Sequence, residues 1–235
     1  MNLTEGIAIA NIVKKGTSDY TVIENKDLAW GANGDSWMLY VRVVGSGVDS
    51  SSSSANGKIT TDDSKVNIPV KYTLNTGDKT AEIEATEETT KVITSDAVKG
   101  LTLMMNEITV SGTEYKIVKI HSQTFKGGKF KAVQAKNVKH INQGAFRKCK
   151  RMKKINLGDN RKLRKIHSKV FYDDKKLATI KLDGRNLKEV GSKAFQGVKK
   201  NCTIKVKAKS KSNYNSAVKK LKKGVGSTKV KFARI

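Results

Sequence analysis

Residues that could perform acid–base, metal or thiol chemistry are few in this chain of 235 residues. It has three histidines, two cysteines and, in its second half, one pair of adjacent acids, Asp173 and Asp174. The motifs that hold such groups in a working arrangement, Cys-x-x-Cys, His-Glu-x-x-His, a phosphate-binding glycine loop and the nucleophile elbow, do not occur. Asp173 and Asp174 are typical of a turn at a repeat corner and do not form a spaced acid–base couple. The sequence therefore predicts that this protein is not an enzyme, with no catalytic residue, metal site or cofactor.

A recurring pair of apolar residues indicates that the second half of the chain is built from repeat units. Four phenylalanines each follow a β-branched residue by five positions, and successive pairs are 21, 25 and 24 residues apart. Periods of about 20–29 residues are typical of leucine-rich-type repeats, whose units bury their apolar faces only by stacking. The alternative is an ordinary α+β domain in which this spacing is accidental. Against it, residues of the same type recur at five equivalent positions of the successive units, which we call columns. The pairs are Ile120/Phe125, Ile141/Phe146, Ile166/Phe171 and Val190/Phe195.

Each unit also predicts a short strand eight or nine residues after its phenylalanine. Two apolar residues there are separated by one polar residue, and side chains alternate across a strand, so the polar residue points away from the core. Stacked strands repeat about every 4.8 Å, which places like groups in rows. The concave strand face is therefore the best candidate for ligand binding. Its predicted binding residues are Gln134, Asn156, Lys181 and Lys205, with Lys131 and Lys154 beside them.

Stacking also limits what the histidines and cysteines can do. His121 and His167 hold the same repeat position two units apart, about 10 Å by strand spacing. That is too far to share a metal ion with bonds near 2.1 Å, and His140 is expected to face solvent. Cys149 and Cys202 are also about two units apart, beyond the roughly 7 Å that a disulfide tolerates between Cα atoms. Both thiols are predicted to be free and buried.

Three stretches resemble a known family of repeats. "INQGAFRKCKRMKKINL", "IHSKVFYDDKKLATIKL" and "LKEVGSKAFQGVKKNCTIKV" are similar to the BspA-like leucine-rich repeats of bacterial surface proteins. The resemblance covers roughly residues 67–235, with His121, Asn142 and His167 where glycine is usual. It implies a non-enzymatic adhesion or binding protein, secreted or at the cell surface, whose repeat face contacts a protein or glycan receptor.

Net charge supports an alternative function. The chain has a formal charge of +26, and residues 111–235 hold 37 Lys+Arg against 6 Asp+Glu, which gives +31. Such a field attracts anionic polymers, either a wall polymer, a sulfated glycan or nucleic acid. Nucleic acid ranks lower because it usually recruits stacking aromatics, and tyrosines are scattered here. The other alternative is that these lysines form a plain solvated surface that discourages strand pairing.

The fold class predicted for the whole chain is a β-rich α+β protein with a short solenoid of about four repeats. Composition and patterning divide the chain into five segments. They are a β-rich N-terminal module at 1–49, a Ser-rich linker or loop at 50–65, a β lead-in or N-terminal cap at 66–116, the repeats at 117–209 and a C-terminal cap at 210–235.

The predicted C-terminal cap consists of one helix and one strand. Ser212 or Asn213 is the expected N-cap, Gly224 is the expected stop, and "STKVKFARI" reads as a strand with Val230 and Phe232 inward. Upstream, Ser95 is a possible cap of a further short helix.

The sequence contains no apolar run near the roughly 18 residues of a membrane span. The eight residues "GIAIANIV" do not form a signal peptide. A surface protein without either signal is expected to be a mature form or a fragment of a longer protein, and we expect a monomer.

Overall fold

The computed structural model gives two units of the chain, Met1–Asp49 and Ser50–Ile235, which are described separately. In the first unit, β1 (Ile12–Val13) pairs antiparallel with β2 (Tyr20–Thr21). The rest of the predicted β-rich module at 1–49 lies outside the described residues. The structure describes residues 12–13, 20–21, 54–62, 66–158 and 161–235.

The repeats of the second unit form two parallel ladders of strands, one on each side of the phenylalanines. The short ladder contains the β-branched residue that precedes each phenylalanine, and the broad ladder contains the predicted outward column. The short ladder is β8 (Thr113–Ile120), β10 (His140–Ile141), β12 (Lys165–Ile166) and β14 (Glu189–Val190). The broad ladder is β6 (Thr102–Met104), β9 (Ala132–Gln134), β11 (Lys154–Asn156), β13 (Thr179–Asp183), β15 (Cys202–Lys207) and β16 (Val230–Arg234).

Three antiparallel strands join the two ladders at their N-terminal end. They are β3 (Ser54–Thr61), β4 (Asn67–Asn75) and β5 (Thr80–Glu84). At one side β5 pairs with β8, and at the other β3 pairs with β6, so a single 14-stranded sheet continues from one ladder to the other. A hairpin strand, β7 (Glu107–Val110), pairs antiparallel with β8.

The position of β3 corrects the predicted linker or loop at 50–65. Serine-rich composition is typical of a linker, yet Ser54–Thr61 pairs residue by residue with β4. Ile59 of this strand is only 2% exposed, so the strand contributes to the core. Gly57 lies where a Cβ atom would stand 2.6 Å from the ring of Tyr72, which explains why the strand needs a glycine there. In a stretch that is otherwise polar, Ile59 and Gly57 alone do not distinguish a strand from a linker, so the sequence did not predict β3.

The four repeat phenylalanines form the predicted stack. All four side chains are completely buried. Ring centroids lie 5.5 Å apart for Phe125 and Phe146, 5.7 Å for Phe146 and Phe171, and 5.7 Å for Phe171 and Phe195, with interplanar angles of 10–15°. Offset parallel rings at such distances attract each other beyond the gain from burial. The central prediction for the repeats is confirmed.

Each tight return around a phenylalanine uses two residues with positive φ, one two positions before the ring and one two positions after it. The backbone turns sharply at these places, and left-handed residues supply the change of direction. This chain fills most of them with residues other than glycine. The first set is Gln123, Gly144, Lys169 and Lys193, and the second is Gly127, Lys148, Asp173 and Gly197.

In the part of the chain that the structure describes, two α-helices flank the sheet. Helix α1 (Glu87–Thr94) was not predicted, and its N-cap, Thr86, exchanges hydrogen bonds with Thr89 in a capping box. Ser95 follows it and caps a single 3-10 turn. Helix α2 (Lys211–Lys223) ends at Gly224 as predicted. Its N-cap is Ser210 rather than Ser212 or Asn213, because the Ser210 hydroxyl accepts the Asn213 N–H at 3.2 Å.

Candidate binding face

The outward residues of the broad ladder lie in two parallel columns, which we call the strand face. Strand register aligns each residue with its counterpart in the next unit. Because neighbouring strands are about 4.8 Å apart, each column is a row of evenly spaced groups. One column is Met104, Gln134, Asn156, Lys181, Lys205 and Ala233, and the other is Thr102, Ala132, Lys154, Thr179, Thr203 and Lys231.

Five of the six predicted binding residues meet on this face. They line a shallow depression of about 400 Å³. Lys131 differs, because β11 places Lys154 opposite Ala132, one residue later. Lys131 is exposed just before β9, where its carbonyl accepts the Lys153 N–H at 2.7 Å. The five that line the depression are Gln134, Asn156, Lys154, Lys181 and Lys205.

Alternation within each strand positions these side chains. In β13, Ile180 and Leu182 are completely buried while Lys181 between them points outward. Asn156 also holds the following turn, since its side-chain oxygen accepts the Gly158 N–H at 3.0 Å. A buried apolar residue on either side of each outward residue therefore fixes the direction in which its side chain leaves the strand.

The strand face changes in character along the stack. Its N-terminal part offers methyl, hydroxyl and amide groups, whereas its C-terminal part offers amines. Sequence reasoning missed the outer members Thr102, Met104 and Lys231, because β6 and β16 lie outside the repeat period. The alternation in "STKVKFARI" was the available signal for Lys231. Such a face suits an extended polar partner with anionic groups toward one end.

A second row of charged residues runs across the short ladder and the adjoining β5. In order, the row is Glu82, Lys119, His140, Lys165 and Glu189. The lysines at its ends are paired, with Lys119 Nζ 2.7 Å from Glu82 and Lys165 Nζ 2.8 Å from Glu189. His140 lies between these lysines, on the side of β10 opposite buried Ile141, and is half-buried. Burial and then the nearby positive groups lower its pKa. This row is largely neutralised by its own members.

The remaining candidates for chemistry are held in structural roles. His121 Nε2 lies 2.9 Å from a Glu82 carboxylate oxygen. Cys149 and Cys202 are free and buried, as predicted, and burial raises the pKa of Cys202 to about 12. Cys149 Sγ donates to the Phe125 carbonyl at 3.1 Å, and burial raises its pKa as well. Among the described residues, no group of three or more His, Cys, Asp and Glu could hold a metal ion.

Comparison with known proteins yields matches for the repeats. The profile described as "BspA type Leucine rich repeat region" matches residues 118–223 in 6 copies. No curated protein matches the chain. A solved structure, a leucine-rich repeat protein from Bacteroides ovatus ATCC 8483, is 23% identical with a TM-score of 0.44, and the alignment covers 58% of this chain and 35% of that one. The chain thus spans about a third of that protein. No helix in the described part of this chain is long and apolar enough to cross a membrane.

Proposed function

Because residues 118–223 are BspA-type leucine-rich repeats, we propose that this chain is a non-enzymatic binding protein, secreted or displayed on a bacterial surface. Its partner is a protein or glycan receptor, and the strand face makes the contact. The observation that carries this proposal is the pair of in-register polar columns above a buried apolar layer. A rigid row of outward groups is preorganised, so binding loses little conformational freedom at the interface.

Two double variants test this proposal on arrays of host matrix proteins and surface glycans. Lys181→Glu with Lys205→Glu reverses two charges on the strand face. Lys219→Glu with Lys222→Glu makes the same change on exposed positions of α2 and is the matched control. We expect the face variant to lose about tenfold or more in affinity for any receptor found, as truncation of a central contact does, and the helix variant to bind normally. Equal loss in both variants would contradict a role for the strand face.

A second candidate function is binding of a polyanion through the lysine-rich half. The net charge of +31 over residues 111–235 favours it. Binding of this kind releases counterions, so affinity falls steeply as salt increases. Affinity measured at 50 and 200 mM salt separates the two candidates. The affinity for a receptor that is bound through shape and hydrogen bonds depends only weakly on salt. An affinity that does not change between the two salt concentrations would therefore exclude polyanion binding.

A further inference from the structure

Three consecutive units each carry two adjacent cations in the turn that leads from the phenylalanine to the broad ladder. We call these six residues the dibasic corner. Each pair follows its phenylalanine by four and five residues, and all six side chains are exposed. The first unit has a single cation there, Lys129, which pairs with Asp96 at 2.9 Å. The dibasic corner consists of Lys150–Arg151, Lys175–Lys176 and Lys199–Lys200.

The stack sets the spacing of these pairs. The rings of Phe146, Phe171 and Phe195 follow one another at 5.7 Å, and stacked strands repeat about every 4.8 Å. Corresponding cations therefore recur about every 5 Å along the repeat axis, in two rows side by side. Like charges held this close repel one another, and a bound row of anions relieves that repulsion.

The protein supplies little of that relief itself. Lys175 is 3.7 Å from Asp173 and still 70% exposed. The five other corner cations have no carboxylate within 4.0 Å among the residues that the structure describes. Asp174 adjoins the corner in sequence but is completely buried, and burial raises the pKa of its carboxyl, which disfavours the anion. The short ladder contrasts with this, since acids close both ends of its row.

We propose that the dibasic corner binds a linear anionic glycan bearing sulfate or carboxylate groups, laid along the repeat axis. This inference rests on the second candidate function and names its site and ligand class. Five of the six cations are lysines, which act as point charges and need no paired geometry from the anions that they bind. The aromatic ring beside the corner, Tyr172, is covered by the Arg147 guanidinium at 5.3 Å. Base stacking, which single-stranded nucleic acid uses, therefore has no open ring there.

Three triple variants of the full chain test this site, and each removes three positive charges. The corner variant combines Arg151→Gln, Lys176→Gln and Lys200→Gln. The face variant combines Lys154→Gln, Lys181→Gln and Lys205→Gln, and the helix variant combines Lys219→Gln, Lys222→Gln and Lys223→Gln. Equal net charge means that only the position of the loss differs. The probes are heparin and chondroitin sulfate, with double-stranded DNA for comparison.

We expect the corner variant to lose about tenfold or more in heparin affinity at 50 mM salt, and its dependence on log salt to flatten by about two to three units. The helix variant should lose less than about threefold. Protection from lysine acetylation provides a readout on the unaltered protein, since bound heparin should shield Lys176 and Lys200 but not Lys219.

Each other outcome overturns this inference in a recognisable way. Loss in the face variant alone moves the anion site to the strand face and keeps the second candidate function. Equal loss in all three variants shows diffuse attraction without a site. Tighter binding of DNA than of heparin assigns the corner to nucleic acid. An unaltered chain that binds none of the three polymers removes the corner as a site for anionic glycans and reduces the second candidate function to a wall polymer.

Discussion

Strands in the repeats and strands that join the two ladders are stabilised by different kinds of pairing. Strands of the short ladder after β8 are two residues long and find partners only in the neighbouring units. The joining strands β3 and β4 are eight and nine residues long and pair antiparallel with each other. A short strand is stable only within a stack, whereas a long hairpin also has local pairing. Stability in the repeats therefore depends on the column, and in the joining strands on individual fits.

Emptying the aromatic stack should have the largest effect. Phe171→Ala removes a fully buried ring with a stacked ring on either side, and we expect a loss of about 3–5 kcal/mol in the free energy of unfolding. Phe195→Ala removes a ring stacked on one side only and should cost less by about 0.5–1.5 kcal/mol. Urea denaturation measures both. A loss below about 1 kcal/mol for Phe171→Ala would show that the column is not the core.

The second-largest loss of stability should come from disturbing the close packing around Gly57 in the joining strands. Gly57→Ala places a Cβ atom 2.6 Å from the Tyr72 ring and 2.7 Å from Ile108, and overpacking of this kind costs about 1–3 kcal/mol. The control is Gly77→Ala in the β4–β5 turn, where the nearest atom is 3.5 Å from the added Cβ. Equal, small losses in thermal denaturation would mean that Ser54–Thr61 behaves as the linker its composition indicates.

Two carboxyls should give the regions opposite pH dependence. In the repeats, burial raises the pKa of Asp174, whose Oδ2 has no hydrogen-bond partner among the described residues. In β5, burial would raise the pKa of Glu82, but hydrogen bonds from Lys119 and His121 lower it overall. A raised pKa gives stability that is full below the unfolded-state value and lost as pH rises, and a lowered pKa gives stability that is lost as pH falls.

We therefore expect Asp174→Asn to gain stability relative to the unaltered protein as pH rises from about 4, the ordinary aspartate value. Glu82→Gln should lose at most about 1 kcal/mol at neutral pH, since its ion pair is partly solvated, and the loss should begin to shrink below about pH 4.3, the ordinary glutamate value, and disappear at still lower pH. Unfolding in urea from about pH 2.5 to 8 covers both transitions. Curves that stay parallel to that of the unaltered protein would refute these assignments.

The smallest effect should come from the positive-φ residues of the returns. Lys169 has φ near 55° and Gly144 holds the same position one unit earlier with φ near 63°. Lys169→Gly relieves strain and should gain up to about 1 kcal/mol, and Gly144→Lys should lose a similar amount. Melting temperatures of the two variants should shift in opposite directions. Shifts of the same sign would show that side-chain packing, not backbone strain, decides these positions.

The same contrast explains what the sequence could reveal. Every repeat residue is predicted several times over, so Ile155 or Phe171 is placed by its equivalents as much as by its own neighbours. Gly57 and Thr86 have no equivalents in other units. The role of Gly57 depends on Tyr72, which is distant in the sequence, and that of Thr86 on a single helix cap. Within the candidate site, alternation correctly directed Asn156 and Lys181 outward. The same columns align Val133 with Ile155, so the sequence already makes Ala132, not Lys131, the equivalent of Lys154.

The sheet that continues from β8 through β5, β4 and β3 to β6 has a consequence for how the protein is made. It presents two starting edges to the rest of the chain, one for each ladder, and both precede the second repeat in the sequence. Every later unit can dock on the one before it as it leaves the ribosome. Assembly can thus proceed in the order of synthesis, and a duplicated repeat would lengthen the protein without any change to the template on which it grows.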